Sequence, residues 1–110
     1  MRLQLKGKNL DVSDSIRSYA EQKLQKLTKQ LADEVFVDVE LAVERNPSIR
    51  ANQVAEATVF TKGHPLRARE ATSDMRASID GLTDKLLREL ATYKDKRRRE
   101  PRRRSAHNGE

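Results

Sequence analysis

Residues 73–96 read SDMRASIDGLTDKLLRELATYKDK. Within them Met75, Ile79, Leu82, Leu86, Leu90 and Tyr93 recur at spacings of three and four, which is one apolar stripe on an α-helix. Ser73 is placed to cap the first turn, and Asp74 sits where a helix N-terminus favours negative charge. Ala77, Gly81, Lys85, Arg88 and Thr92 take the opposite face, and the 3.6-residue period puts Lys85 and Arg88 nearly back to back with the stripe. That face is basic, with small residues beside the charges. Gly81 costs about 1 kcal/mol against Ala in a helix interior, and close approach of a bulky partner would account for it. A solvated outer face is the other reading of the same pattern.

A helix with a single stripe needs a layer to cover it, and the upstream sequence supplies one. Val35 to Glu44 alternates: Val35, Val37, Val39, Leu41 and Val43 face one way, while Phe36, Asp38, Glu40, Ala42 and Glu44 face the other, as in a half-buried strand. Gln53 to Lys62 is a second strand, with Ala55, Ala57, Val59 and Thr61 inward. Lys62-Gly63-His64-Pro65 is a tight connection to a third, Leu66 to Glu70, with Leu66 and Ala68 inward and Arg67 and Arg69 outward. At the start, Arg2 to Lys6 alternates as a short strand, Gly7-Lys8-Asn9 turns, and Ser13 caps a helix running to about Leu31 with Ile16, Ala20, Leu24, Leu27 and Leu31 as its stripe. The order is β-α-β-β-β-α. The economical packing is an α+β two-layer sandwich, a four-stranded sheet with two helices on one face. Its first two strands should be parallel through a right-handed crossover and the other pairs antiparallel hairpins. The expected domain is 1–96. Residues 97–110, Arg-rich and then Ser-Ala-His-Asn-Gly-Glu, have almost nothing to bury and are expected to form a basic, disordered tail or the start of a linker.

The 110 residues suffice for one domain and one modest core. Cysteine is absent, which excludes disulfides and thiolate metal sites and suits a cytoplasmic protein. Arg2 and Lys6 leave no room for a signal peptide's apolar run, and no segment reaches membrane-spanning length. The net charge of +6 is lodged at one end: eight basic residues between Lys94 and Arg104 against Asp95 and Glu100. The preceding body is neutral. A basic end fits nucleic acid or an anionic surface, and with four aromatic residues and no tryptophan, base stacking is not the expected main mode of binding.

No catalytic constellation emerges. His64 lies in a hairpin turn and His107 in the tail, the carboxylates are scattered, and Gly7, Gly63, Gly81 and Gly109 are isolated, so neither a metal site, a triad nor a phosphate loop is present in sequence. No cofactor or small-molecule substrate is expected. What remains is basic surface in three places: the Lys23, Lys26 and Lys29 flank of the first helix, the Lys85 and Arg88 face of the second, and the extension with Lys94, Lys96, Arg97 and Arg98. Helices side by side on a sheet would merge the first two into one band, with the third running off its end. Such a band suits a phosphate backbone, and structured RNA better than a DNA major groove, because neither helix carries a base-reading cluster.

Asp74-Met75, Ala77, Ile79-Asp80-Gly81-Leu82, Asp84-Lys85-Leu86, Arg88, Leu90 and Tyr93-Lys94-Asp95-Lys96 resemble the second helix of the ribosome hibernation promoting factors, also called ribosome-associated inhibitor A or sigma-54 modulation proteins. Gly7-Lys8-Asn9, the Ser13, Ile16-Arg17 and Tyr19 helix start and the Lys23-Leu24, Lys26-Leu27 repeat match as well, so the resemblance covers about residues 1 to 96. It implies a non-enzymatic protein that binds the small ribosomal subunit and its 16S-type rRNA at the decoding centre, blocks messenger RNA and A-site and P-site transfer RNA, and silences whole ribosomes under stress or in stationary phase. It carries RNA contact onto Lys23, Lys26, Lys85, Arg88 and Lys94; Arg76 stands where members often have an aromatic. Long members add a dimerising C-terminal domain, so the chain is expected to be a short form or the N-terminal part of a long one, and a monomer when free. A general double-stranded-RNA or nucleoid-binding module is the second reading. A coiled-coil dimer is the third, weakened because the domain needs the stripe for its own core.

Overall fold

Period-two alternation becomes burial on the central strands. In the computed structural model Val37, Val39 and Leu41 are fully buried on β2 (Phe36–Val43), and Ala55, Ala57 and Val59 on β3 (Gln53–Phe60). With β1 (Arg2–Lys8) and β4 (Leu66–Thr72) they form a four-stranded sheet in the order β1-β2-β3-β4. β1 lies parallel to β2, while β2–β3 and β3–β4 are antiparallel, as the element order requires. The structure describes the backbone of residues 1–31, 35–46, 49–61 and 63–108, with side chains up to residue 93.

Two helices cover the inward face: α1 (Asp14–Leu24) and α2 (Met75–Asn108). Ala20 and Leu24 of α1, Leu27 just beyond it, and Met75, Ile79, Leu82, Leu86 and Leu90 of α2 meet the inward strand residues in one apolar core. The stripe that organises the sequence is thus the spine of the fold, and each large side chain buried there contributes about 1.5–3 kcal/mol.

α2 is seated on β3 and β4 by small polar residues. Ser78, fully buried, donates to the Gln53 carbonyl at 2.6 Å and accepts from the Thr72 backbone N–H at 3.1 Å. Gly81 has the same origin. A Cβ there would meet the Glu70 side chain of β4, which would have to swing aside, so the close neighbour at this position is the chain's own edge strand.

Other expectations need correcting at the ends of elements. The first helix stops at Leu24 and continues as a 3₁₀ segment, Gln25–Lys29. Leu24 and Leu27, three apart, stay inward under either period. The cap of α2 is Asp74, whose side chain accepts from the Ala77 N–H at 3.1 Å; Ser73 lies one residue too early. The backbone of α2 is helical past residue 96, to Asn108. Arg, Lys and Glu are good helix formers, so a basic composition alone does not stop a helix.

Among the described residues no helix covers the opposite face of the sheet. Phe36 and Phe60, paired across β2 and β3, put their rings 5.7 Å apart there, with Phe60 half exposed. Lys6 lies between Asp38 and Glu40 at 3.7 and 3.9 Å, and Arg69 reaches Glu44 at 3.3 Å.

Candidate nucleic-acid interface

The cations named from the sequence fall into three groups by what surrounds them. Lys26 and Lys29 are exposed on the 3₁₀ segment and have no ion pair among the described residues. Arg88 is likewise exposed and without an ion pair among the described residues, on the outer side of α2. These three are available to a phosphate backbone as they stand.

Lys23 and Lys85 are already engaged. The Lys85 ammonium donates to the Arg69 carbonyl at 2.7 Å and to Glu70 Oε1 at 3.3 Å, so this side chain lies along the flank of α2 against β4 and not back to back with the core. Its partial burial explains the difference from the helical period: the stem is partly covered while the charge meets an acid on β4. Lys23 lies on the other flank, 3.5 Å from Asp80 and 5.6 Å from the centre of the Tyr19 ring. The two basic helix faces therefore do not merge into one continuous band: α2 itself separates the Lys23 side from the Lys85 side. Lys94, Lys96, Arg97 and Arg98 continue along α2, and their side chains lie outside the described residues.

The seam between the helices holds a cluster that sequence reasoning missed. Tyr19 donates its hydroxyl to Asp80 at 2.7 Å, and Arg76 donates to the Ser15 hydroxyl at 2.7 Å with its guanidinium 5.5 Å from the Tyr19 ring centre. Ser15 meeting Arg76, and Tyr19 meeting Asp80 one turn on, means that α1 and α2 run in the same direction. Arg76 thus has a structural role, as one of two cations on one tyrosine ring. No local pattern announces such a contact, because its partners are 61 residues apart.

The hydrogen bond to Asp80 holds the Tyr19 phenol above its ordinary value of about 10, helped by desolvation and the Asp80 charge and opposed by Lys23 and Arg76. A phenol whose folded pKa is raised contributes stability below the unfolded value, and that contribution is lost as pH rises through the folded one. Asp80→Ala should lower the Tyr19 midpoint in an ultraviolet phenolate titration. An unchanged midpoint would mean that the bond does not form in solution.

Among the described residues no group of three or more His, Cys, Asp or Glu is arranged to hold a metal ion.

A four-stranded sheet under two parallel helices, with cations on the helical layer, is an architecture this chain shares with solved structures. The N-terminal domain of Protein Y from Thermus thermophilus superposes with a TM-score of 0.71 at 30% identity, covering 84% of this chain and 99% of that one. The chain belongs to the sigma 54 modulation protein / S30EA ribosomal protein family, whose model matches residues 3–98, a family of non-enzymatic ribosome hibernation factors. It is 41% identical over 97 residues to the ribosome hibernation promotion factor of Picosynechococcus sp., covering 87% of this chain and 50% of that protein. It is 33% identical over 96 residues to the ribosome hibernation promoting factor of Salmonella typhimurium, covering 87% of this chain and 96% of that protein. The chain therefore spans half the length of the first relative and nearly all of the second.

Proposed function

We propose that this protein is a ribosome hibernation factor. It binds the small ribosomal subunit at the decoding centre, contacts 16S-type rRNA, and occupies the channel of messenger RNA and of A-site and P-site transfer RNA, so that idle ribosomes stay silent and intact. It acts in the cytoplasm, is a monomer when free, and uses no cofactor. The observation that carries this reading is the family match over residues 3–98, together with a relative of that name matched over 96% of its length. The exposed Lys26, Lys29 and Arg88 support it chemically, since each can neutralise a phosphate without breaking an internal pair. Among the described residues no helix is long and apolar enough to cross a membrane.

Sedimentation with purified small subunits tests the proposal. Binding that excludes initiator transfer RNA and messenger RNA, and that weakens steeply with salt, is the expected result. Equal affinity for free duplex RNA in competition would favour a general RNA-binding module and overturn the reading.

A further inference from the structure

An open cleft of about 380 Å³ lies between the outer side of α2 and the β3–β4 connection. Its described lining is His64 and Leu66 from the strand side and Arg88, Glu89, Thr92 and Tyr93 from the helix. Its walls are predominantly apolar, and its volume falls within the range of small-molecule sites, about 300–1,000 Å³. Thr61 ties down the approach by donating to the His64 carbonyl at 2.6 Å, and Gly63, with φ of 98°, makes a turn that an ordinary side chain would strain.

The lining has two kinds of surface at once. Leu66 and the Tyr93 ring offer flat apolar contact. Around them stand a guanidinium, an imidazole, a carboxylate and a hydroxyl, of which the Thr92 hydroxyl spends its proton on the Arg88 carbonyl and keeps its lone pairs. Arg88 has no ion pair among the described residues, although the neighbouring cations Lys85 and Arg69 each have one. A ligand that matches has apolar faces, a polar hydrogen-bonding edge and an attached negative charge.

We infer that this cleft holds a single unstacked RNA base, with Arg88 on its phosphate, so that the protein anchors one flipped-out nucleotide of the RNA it covers. This rests on the proposed RNA function and deepens it. Bases splayed from a strand are gripped by stacking on aromatic and arginine planes and by hydrogen bonds at their edges. Glu89 accepts from an exocyclic amino group, and the apolar walls take the base faces.

The test uses the full chain and two probes, adenosine 5′-monophosphate and ribose 5-phosphate, followed by amide chemical shifts. Adenosine monophosphate should shift residues 64–66 and 88–93 with a dissociation constant on the order of 1 mM, and ribose 5-phosphate should bind about tenfold more weakly or not at all. Leu66→Trp, which fills the cleft, should abolish those shifts, and Arg88→Gln should weaken the nucleotide about tenfold while leaving the fold intact. Both variants should weaken small-subunit binding about tenfold. Equal binding of the two probes would reduce the cleft to a phosphate contact and overturn the inference, as would nucleotide shifts elsewhere on the surface. Loss of all subunit binding in the unaltered protein, with the nucleotide shifts preserved, would overturn the ribosomal reading and leave the base pocket standing.

Discussion

Charge reversal at Lys26 and Arg88 together, K26E/R88E, is expected to reduce affinity for the small ribosomal subunit by at least about 100-fold at moderate salt and to flatten the dependence of affinity on salt. Both side chains are exposed, and neither has an ion pair among the described residues, so the change removes contacts with RNA and no internal bond. Stability should move by less than about 0.5 kcal/mol, as for most exposed substitutions. Lys85 makes a poor companion for such a test. Its ammonium holds Glu70 and the Arg69 carbonyl, so Lys85→Glu sets two carboxylates against each other and mixes a folding effect with a binding one. Subunit sedimentation over a salt series reads the first effect and a thermal melt the second. A double variant that binds like the unaltered protein would remove the helical layer as the RNA-facing side.

Truncating the spine should have the largest effect on folding. Leu86 is wholly buried midway along the α2 stripe, with Leu82 and Leu90 one turn to either side, also wholly buried. Leu86→Ala is expected to cost about 2–5 kcal/mol from lost transfer energy and the cavity left behind. That is a large share of the roughly 5–15 kcal/mol by which such domains are stable. The melting temperature should fall by about 10–30 °C, and urea unfolding should show a lower midpoint with an unchanged slope. Leu87, the next residue, is only partly buried against the core and should lose less when truncated in the same way. A loss under about 1 kcal/mol at Leu86 would mean that the stripe is not the core.

How much of this could be read from the residues depends on the range over which each feature is encoded. Val37, Val39 and Leu41 announce β2, and Ile79, Leu82, Leu86 and Leu90 announce α2, because a period is local and burial follows it. The parallel β1–β2 pair and the two hairpins follow from element order and connection length. Helix type is harder to read between Leu24 and Leu27, since a spacing of three serves both the α and the 3₁₀ geometry. The site was the least legible part. A helical wheel gives the direction of Lys85 but not the presence of Glu70 on a neighbouring strand, and nothing near Lys23 in sequence points to Asp80. Arg88 is exposed and has no ion pair among the described residues, while the cleft beside it forms only when β4 and α2 are brought together.

The parallel placement of β1 has a temporal consequence. Residues 9–35 separate β1 from β2, its sheet partner among the described residues, whereas β2, β3, β4 and α2 each follow their neighbour more closely. Closing the longer loop costs more entropy before any contact offsets it. β1 is therefore expected to be the last strand to find its place in the sheet.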